Sequence, residues 1–245
     1  MQQVETEVKT IAALGNVALA ARALHRATNA PSHLPHIVVF SGPSGFGKTS
    51  AASYLATRYG AYYVECRSTT TRKSLLEMIL KRMGIPAEKT VNAMLDQVCD
   101  QLEHSGRCLI IDEMDYLVDK SVVAIVQDIY EGSNGSPMML IGEESLPKKL
   151  KKWERFHGRI LDWTAAQPAD LEDVATLASF YCDRAKIAPD LLAHVHSVAR
   201  GSVRRVCVNL DLVQEEALTK GLSIITLADW GNRPLYTGDA PARRG

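Results

Sequence analysis

The chain has 245 residues, 46% hydrophobic and 23% charged, and its 28 basic residues balance its 28 acidic ones. That length supports one large domain or two unequal ones, and zero formal net charge excludes a nucleic-acid site spread over the whole surface, so any such site must be local. The cysteines (Cys66, Cys99, Cys108, Cys182 and Cys207) are odd in number and lack CxxC spacing, which argues against a disulfide frame or a zinc site and for reduced intracellular thiols. No apolar run is long enough to span a bilayer. The polar opening MQQVETEVKT is unlike a signal peptide, so a cytosolic protein is expected.

In chain order, residues from about Val4 to Thr28 are alanine-rich with apolar positions at helical spacing, which predicts one or two helices. The prolines of NAPSHLP end that pattern, and HIVVFSG predicts a buried strand. KTSAASYLATRYG is helical up to Gly60, and AYYVEC is a second strand. TTTRKSLLEMILKRMGI opens on threonines suited to an N-cap, then places Leu75, Leu76, Ile79, Leu80 and Met83 at helical spacing. TVNAMLDQVCDQLEHSG is a helix, RCLIIDE a third strand, VVAIVQDIYEGSNG a helix ending at glycine, and SPMMLIGE a fourth strand. Such alternation predicts a parallel sheet covered by helices on both faces. Nothing after Ile160 reads as strand-rich; PADLEDVATLASFYCDRAK, APDLLAHVHSVAR, SVRRVCVNLDLVQEEALTK and TLADW read as helices. The expected organisation is an N-terminal helical segment over 1–34, an α/β subdomain over 35–166, a small all-helical subdomain over 167–233, and a disordered tail over 234–245.

The stretch Gly42-Pro43-Ser44-Gly45-Phe46-Gly47-Lys48-Thr49-Ser50 fits GxxxxGK[ST] between a strand and a helix, the context that this phosphate-binding loop requires. Its glycines let the backbone turn successive N–H groups toward a phosphate. The following helix presents its positive N-terminus to the same anion. Lys48 can reach the β and γ phosphates, and Thr49 can offer a hydroxyl to Mg²⁺. Asp112 follows an apolar strand, where it would hold Mg²⁺; Glu113 sits where a carboxylate can orient and deprotonate a water attacking the γ-phosphate.

These motifs, with the helical C-terminal region, resemble an AAA+ ATPase. YYVECRSTTTRKSLLEMILKRMGI and MMLIGEESLPKKL resemble the initiator-like branch, and within it the transposition target-selection ATPases of the phage Mu B and TnsC type. The resemblance covers roughly residues 10 to 230. It implies ATP and Mg²⁺ as cofactors, a P-loop sheet sandwiched by helices, and an all-helical lid. It also implies a sensor at Glu143, where the family usually carries a neutral polar residue. An arginine finger acting on a neighbouring subunit is implied at Arg159, with Arg155 in reserve. A second sensor is implied at Arg204, with Arg205 adjacent.

Basic residues that could meet a DNA backbone are Arg67, Arg72 and Lys73, then Lys120 in the loop after the third strand. PKKLKKW adds Lys148, Lys149, Lys151 and Lys152, whose simpler reading is a solvated helix face. No helix-turn-helix precedes the ATPase core, so backbone binding is expected rather than sequence recognition. The leading expectation is an ATPase that oligomerises as a ring or filament on duplex DNA and recruits a transposase. The alternatives are a replication initiator or helicase loader, and a non-enzymatic nucleotide-gated scaffold.

Overall fold

The computed structural model describes residues 12 and 14–239; the part of the expected N-terminal helix before them, and the tail from 240 on, lie outside the described residues. Two compact units result, one made of Asn16–Gln167 and the other mainly of the chain from Pro168 on.

The first unit opens with α1 (Gly15–Thr28), whose buried Asn16, Val17, Ala20, Ala23, Leu24 and Ala27 form one helical face. Then follow β1 (Ile37–Ser41), α2 (Lys48–Tyr59), β2 (Tyr62–Glu65), α3 (Arg72–Met83), α4 (Val91–Ser105) and β3 (Leu109–Asp112). The chain continues through α5 (Asp115–Asp119), α6 (Val123–Gly132), β4 (Met138–Gly142), α7 (Leu146–Leu150), α8 (Glu154–His157) and β5 (Ile160–Ala165). The five strands form one sheet in the order β2-β3-β4-β1-β5, every pair parallel. Every residue of β1, β3 and β4 is buried. Because strand side chains alternate between faces, such strands need helices on both sides. Ile37, Val39, Leu109, Ile111, Met138 and Leu140 pack on one face with Leu76, Ile79, Val98, Leu102, Val126 and Ile129 from α3, α4 and α6. α2 packs against β2 and β3.

The sheet has a strand that the sequence reading left out. β5 lies beside β1 at the sheet edge. Its six positions are half-buried or exposed, so it carries Asp162 and Thr164 instead of a continuous apolar run. Asp162 is tied locally: one oxygen accepts from Trp163 N at 2.9 Å, and the other pairs with Arg26 Nη1 at 2.9 Å.

The second unit is helical: α9 (Leu171–Tyr181), α10 (Pro189–Ala199), α11 (Val203–Thr219) and α12 (Leu227–Trp230). α9, α10 and α11 pack on one another around Val174, Leu177, Leu191, Val195, Val206, Leu210 and Val213. Two residues each of β6 (Lys186–Ile187) and β7 (Ile224–Ile225) form a small parallel pair. Of the tail expected to be disordered, residues up to 239 are described, and part of it is docked: Leu235 is buried, and Tyr236 exchanges two backbone hydrogen bonds with the buried Asn209 amide, at 2.6 and 3.0 Å. The buried amide must be satisfied, and the tail backbone satisfies it.

Candidate nucleotide site

β1 ends at Ser41 and α2 starts at Lys48, so the loop 42–47 leaves a strand end and feeds a helix N-terminus. Gly45 and Gly47 stand at φ 84° and 80°, a left-handed backbone that glycine adopts without steric cost. At Gly42 the constraint is space: a Cβ there would lie 2.8 Å from the Ala166 Cβ. Ala166 N donates to Ser41 O at 2.8 Å, which brings the end of β5 against the loop.

The loop has a further anchor. Asn16, 5% exposed, donates from Nδ2 to Phe46 O at 2.9 Å and to Gln167 O at 2.7 Å, and its Oδ1 accepts from Gln167 N at 2.8 Å. One amide from α1 thus ties the phosphate loop to the last residue of the unit.

Lys48 Nζ donates to the carbonyls of Gly42 and Pro43 at 2.7 and 2.9 Å, so its ammonium lies inside the loop. Burial lowers its pKa; the charges of Asp112, Glu113, Glu143 and Asp115 oppose that shift. Thr49 and Ser50, in the first turn of α2, are exposed.

Asp112 is 2% exposed at the end of β3. Its Oδ1 accepts from Glu113 N at 2.8 Å and its Oδ2 from the Tyr63 hydroxyl at 3.1 Å. Burial first, and then the Asp112 charge, push the Tyr63 phenol well above its ordinary value. Glu113 stands at φ 56°. A non-glycine residue in that region is held against a cost of roughly 1–3 kcal/mol. The hold comes from its neighbours: Cys66 N donates to Asp112 O at 3.0 Å, and Met114 N to Ile141 O at 2.9 Å. Burial raises the Glu113 carboxyl pKa, with Asp112 adding and Lys48 opposing.

Glu143 follows β4 and is exposed; its backbone N donates to Asp115 Oδ2 at 2.7 Å. With Glu144, Ser145, Pro43 and Ser44 it lines a cavity of about 500 Å³, so the position faces the phosphate loop. The charges of Asp112, Glu113, Glu143 and Asp115 all act on Lys48, an excess of negative charge that favours a cation. Among the described residues no group of three His, Cys, Asp or Glu side chains is assembled to hold a metal. Mg²⁺ fits such a site, since it binds through one or two carboxylates, substrate phosphates and retained waters. Asp112 and the Thr49 hydroxyl are the protein groups that would hold it.

Arg159 pairs with Glu131 at 3.3 Å, and both line an open cavity of about 460 Å³ with Gln127, Glu154, Arg155 and Gly158. Among the described residues no hydrogen bond or ion pair joins Arg155 or Arg159 to the phosphate loop. Arg204 is exposed in the first turn of α11, after the Ser202 cap, in the second unit. Arg67, Arg72, Lys73 and Lys120 are all exposed. Lys120, which ends α5 instead of lying in a loop directly after β3, donates to the Ser68 carbonyl and so brings that turn onto the loop that carries Arg67. Lys73 is 3.7 Å from Glu77 one turn away. Within PKKLKKW, Lys148, Lys151 and Lys152 are exposed, whereas Lys149 is held by Asp115 and Asp119. Asn16, Tyr63 and Asp115 are the site residues that the sequence reading did not single out.

Residues 33–150 match the family model described as AAA domain. No curated protein matches the chain. Among solved structures, the fold is similar to that of the Aeropyrum pernix ORC2 protein in its ADPNP–ADP complexes, at 17% identity over 87% of this chain and 64% of that one, TM-score 0.66. It is also similar to A. pernix ORC1 in complex with DNA, at 17% identity over 86% and 61%, TM-score 0.59. A third similar structure is the Thermotoga maritima RuvB Holliday junction branch migration motor, at 16% identity over 88% and 67%, TM-score 0.59. The chain spans less than two thirds of the length of either ORC protein. Domain match and topology define the fold as an AAA+ P-loop sheet followed by a helical region. Fold and site together place a phosphate-binding loop at the end of a parallel strand, within the residues that match the AAA domain.

Proposed function

We propose that this chain is a nucleotide-dependent, DNA-associated ATPase, active as an oligomer with ATP bound where subunits meet. The observation that supports it most is the convergence of Lys48, Asp112, Glu113 and Glu143 at one end of the sheet. In this reading the phosphate loop and Lys48 hold the β and γ phosphates, and Thr49 and Asp112 would hold Mg²⁺, which would supply positive charge against the phosphates. Glu113 takes the proton of the attacking water, at an atom fixed by its left-handed backbone. Glu143 senses the γ-phosphate, Arg159 acts on a neighbouring subunit's ATP, and Arg204 is the second sensor.

DNA would meet Arg67, the first residues Arg72 and Lys73 of α3, and Lys120, whose turn contacts the loop that carries Arg67. Each subunit offers few phosphate contacts, so affinity must come from many subunits at once. Two partner readings rest on different observations. Recruitment of a transposase rests on the sequence resemblance. A replication initiator or helicase loader is supported as well by similarity to ORC folds, one of them solved with DNA. Among the described residues no helix is long and apolar enough to cross a membrane.

The test is ATP hydrolysis by purified chain. Lys48→Ala must lose ATP binding, and Arg72→Ala/Lys73→Ala must keep it while losing DNA. Wild-type chain that binds no ATP would overturn the reading.

A further inference from the structure

We propose that Asp115 is a positioning residue of the hydrolytic site, fixing the end of β4 that carries Glu143 against the strand end that carries Glu113, with Lys149 as its counter-charge. The inference rests on the ATPase reading above.

Asp115 opens α5, two residues past Glu113, and is 5% exposed. A carboxylate so buried must be matched by donors or charge. Oδ2 takes the Glu143 backbone N–H at 2.7 Å. Oδ1 is shielded from water and has no directed hydrogen bond; the Lys149 ammonium lies 3.1 Å from it as an ion pair. That ammonium reaches in from α7 and also pairs with Asp119 at 2.9 Å. Lys149 is the inward member of a lysine-rich stretch whose other lysines face solvent.

The backbone is shaped around this carboxylate. At Gly142 a Cβ would lie 2.3 Å from Asp115 Oδ2 and 2.6 Å from Leu146 Cδ2. A side chain at 142 would displace Asp115, because the close approach needs a residue without one. Two bonds then stitch the same segments together: Met114 N to Ile141 O, and Glu143 N to Asp115 Oδ2. They flank Glu113 on one side and Glu143 on the other. Loss of the second leaves residue 143 free to shift. A shift of about 1 Å at a reacting centre costs on the order of 100-fold in rate.

The experiment compares wild type, Asp115→Asn, Lys149→Met, Gly142→Ala and the double variant Asp115→Asn/Lys149→Met. It measures steady-state ATP hydrolysis together with the Kd of a non-hydrolysable ATP analogue. Asp115→Asn keeps the shape and removes the charge. The expected result is kcat lowered about 10- to 100-fold, with the analogue Kd within about 2-fold. The double variant should be no worse than the worse single variant, because the two residues act as one unit. If Asp115→Asn does not fold, Lys149→Met carries the comparison, since its stem stays and only the ammonium is lost. Wild-type kcat in both Asp115→Asn and Lys149→Met overturns the proposal. So does a kcat that falls only in step with Kd and folded fraction, which marks a purely structural pair. A wild-type chain that binds the analogue but never hydrolyses ATP overturns the catalytic reading itself, and this proposal with it.

Discussion

Replacing Asn16 by alanine removes three hydrogen bonds of 2.7, 2.8 and 2.9 Å from a side chain 5% exposed. It leaves two backbone carbonyls and one N–H without their partner. Each such bond contributes about 1 kcal/mol net, and the cost grows when a buried partner is left unmet. The sum is about 3 kcal/mol, falling to about 2 kcal/mol if water enters the small cavity. For a unit of this size each kcal/mol moves the melting temperature by about 2–4 °C, so the unit holding the phosphate loop should melt about 4–12 °C lower. Phe46 lies within the loop, so nucleotide affinity should fall as well. Asn16→Asp keeps an acceptor for Gln167 N but loses both donors and adds a buried charge, so it should be at least as damaging. Thermal unfolding by circular dichroism with and without ATP and Mg²⁺ reads both effects. An Asn16→Ala protein that melts within about 1 °C of wild type and binds ATP equally would refute the reasoning from those three bonds.

Glu113→Gln should bind ATP as wild type does and hydrolyse it at least ~100-fold more slowly, the scale of losing a positioned base, in a phosphate-release assay. Arg159→Ala should lose turnover and keep nucleotide affinity, and mixing it with Lys48→Ala protein should restore part of the activity through mixed interfaces; no rescue would argue for a site complete within one subunit. Burial pushes the thiols of Cys66 up to about 12 and of Cys99 and Cys182 to about 11, from an ordinary value of 9.0. At pH 8 a thiol of pKa 11 is about 0.1% thiolate, so native protein should resist alkylation and unfolded protein should not. The unfolded chain ionises these thiols above 9.0 while the folded chain keeps them neutral, so stability should fall as pH rises from 9.0 toward 11.

The parts of the fold that could be read in sequence carried their signal locally. β1, β3 and β4 are buried on both faces and so appear as apolar runs, and the glycine-rich loop announces itself by spacing. β5 escaped notice because an edge strand needs no continuous apolar run, and Asp162 and Thr164 hid it. The N-cap at Thr71 was legible for the opposite reason: its capping box with Ser74 spans three residues. Asn16 was illegible because its partner Gln167 lies 151 residues away, so nothing near it in the chain marks it. Tyr63 meets Asp112 across 49 residues. Asp115 could have been noticed as a third acid in DEMD set among apolar neighbours, yet its reach to Gly142 and Lys149 follows from the sheet order. Arg159 shows the limit of a motif: its partner within the chain is Glu131, and its role on a second subunit is a proposal.

The central claim is that nucleotide controls association with DNA, and fluorescence anisotropy of a labelled duplex tests it most directly. Binding should be measured with a slow ATP analogue and with ADP, at several salt concentrations. The account predicts tight binding with the analogue, little with ADP, and a steep loss with salt that flattens in Arg72→Ala/Lys73→Ala, since each lost phosphate contact removes about 0.9 from the log–log slope. Equal binding with ADP and the analogue, or no binding under either, would contradict it.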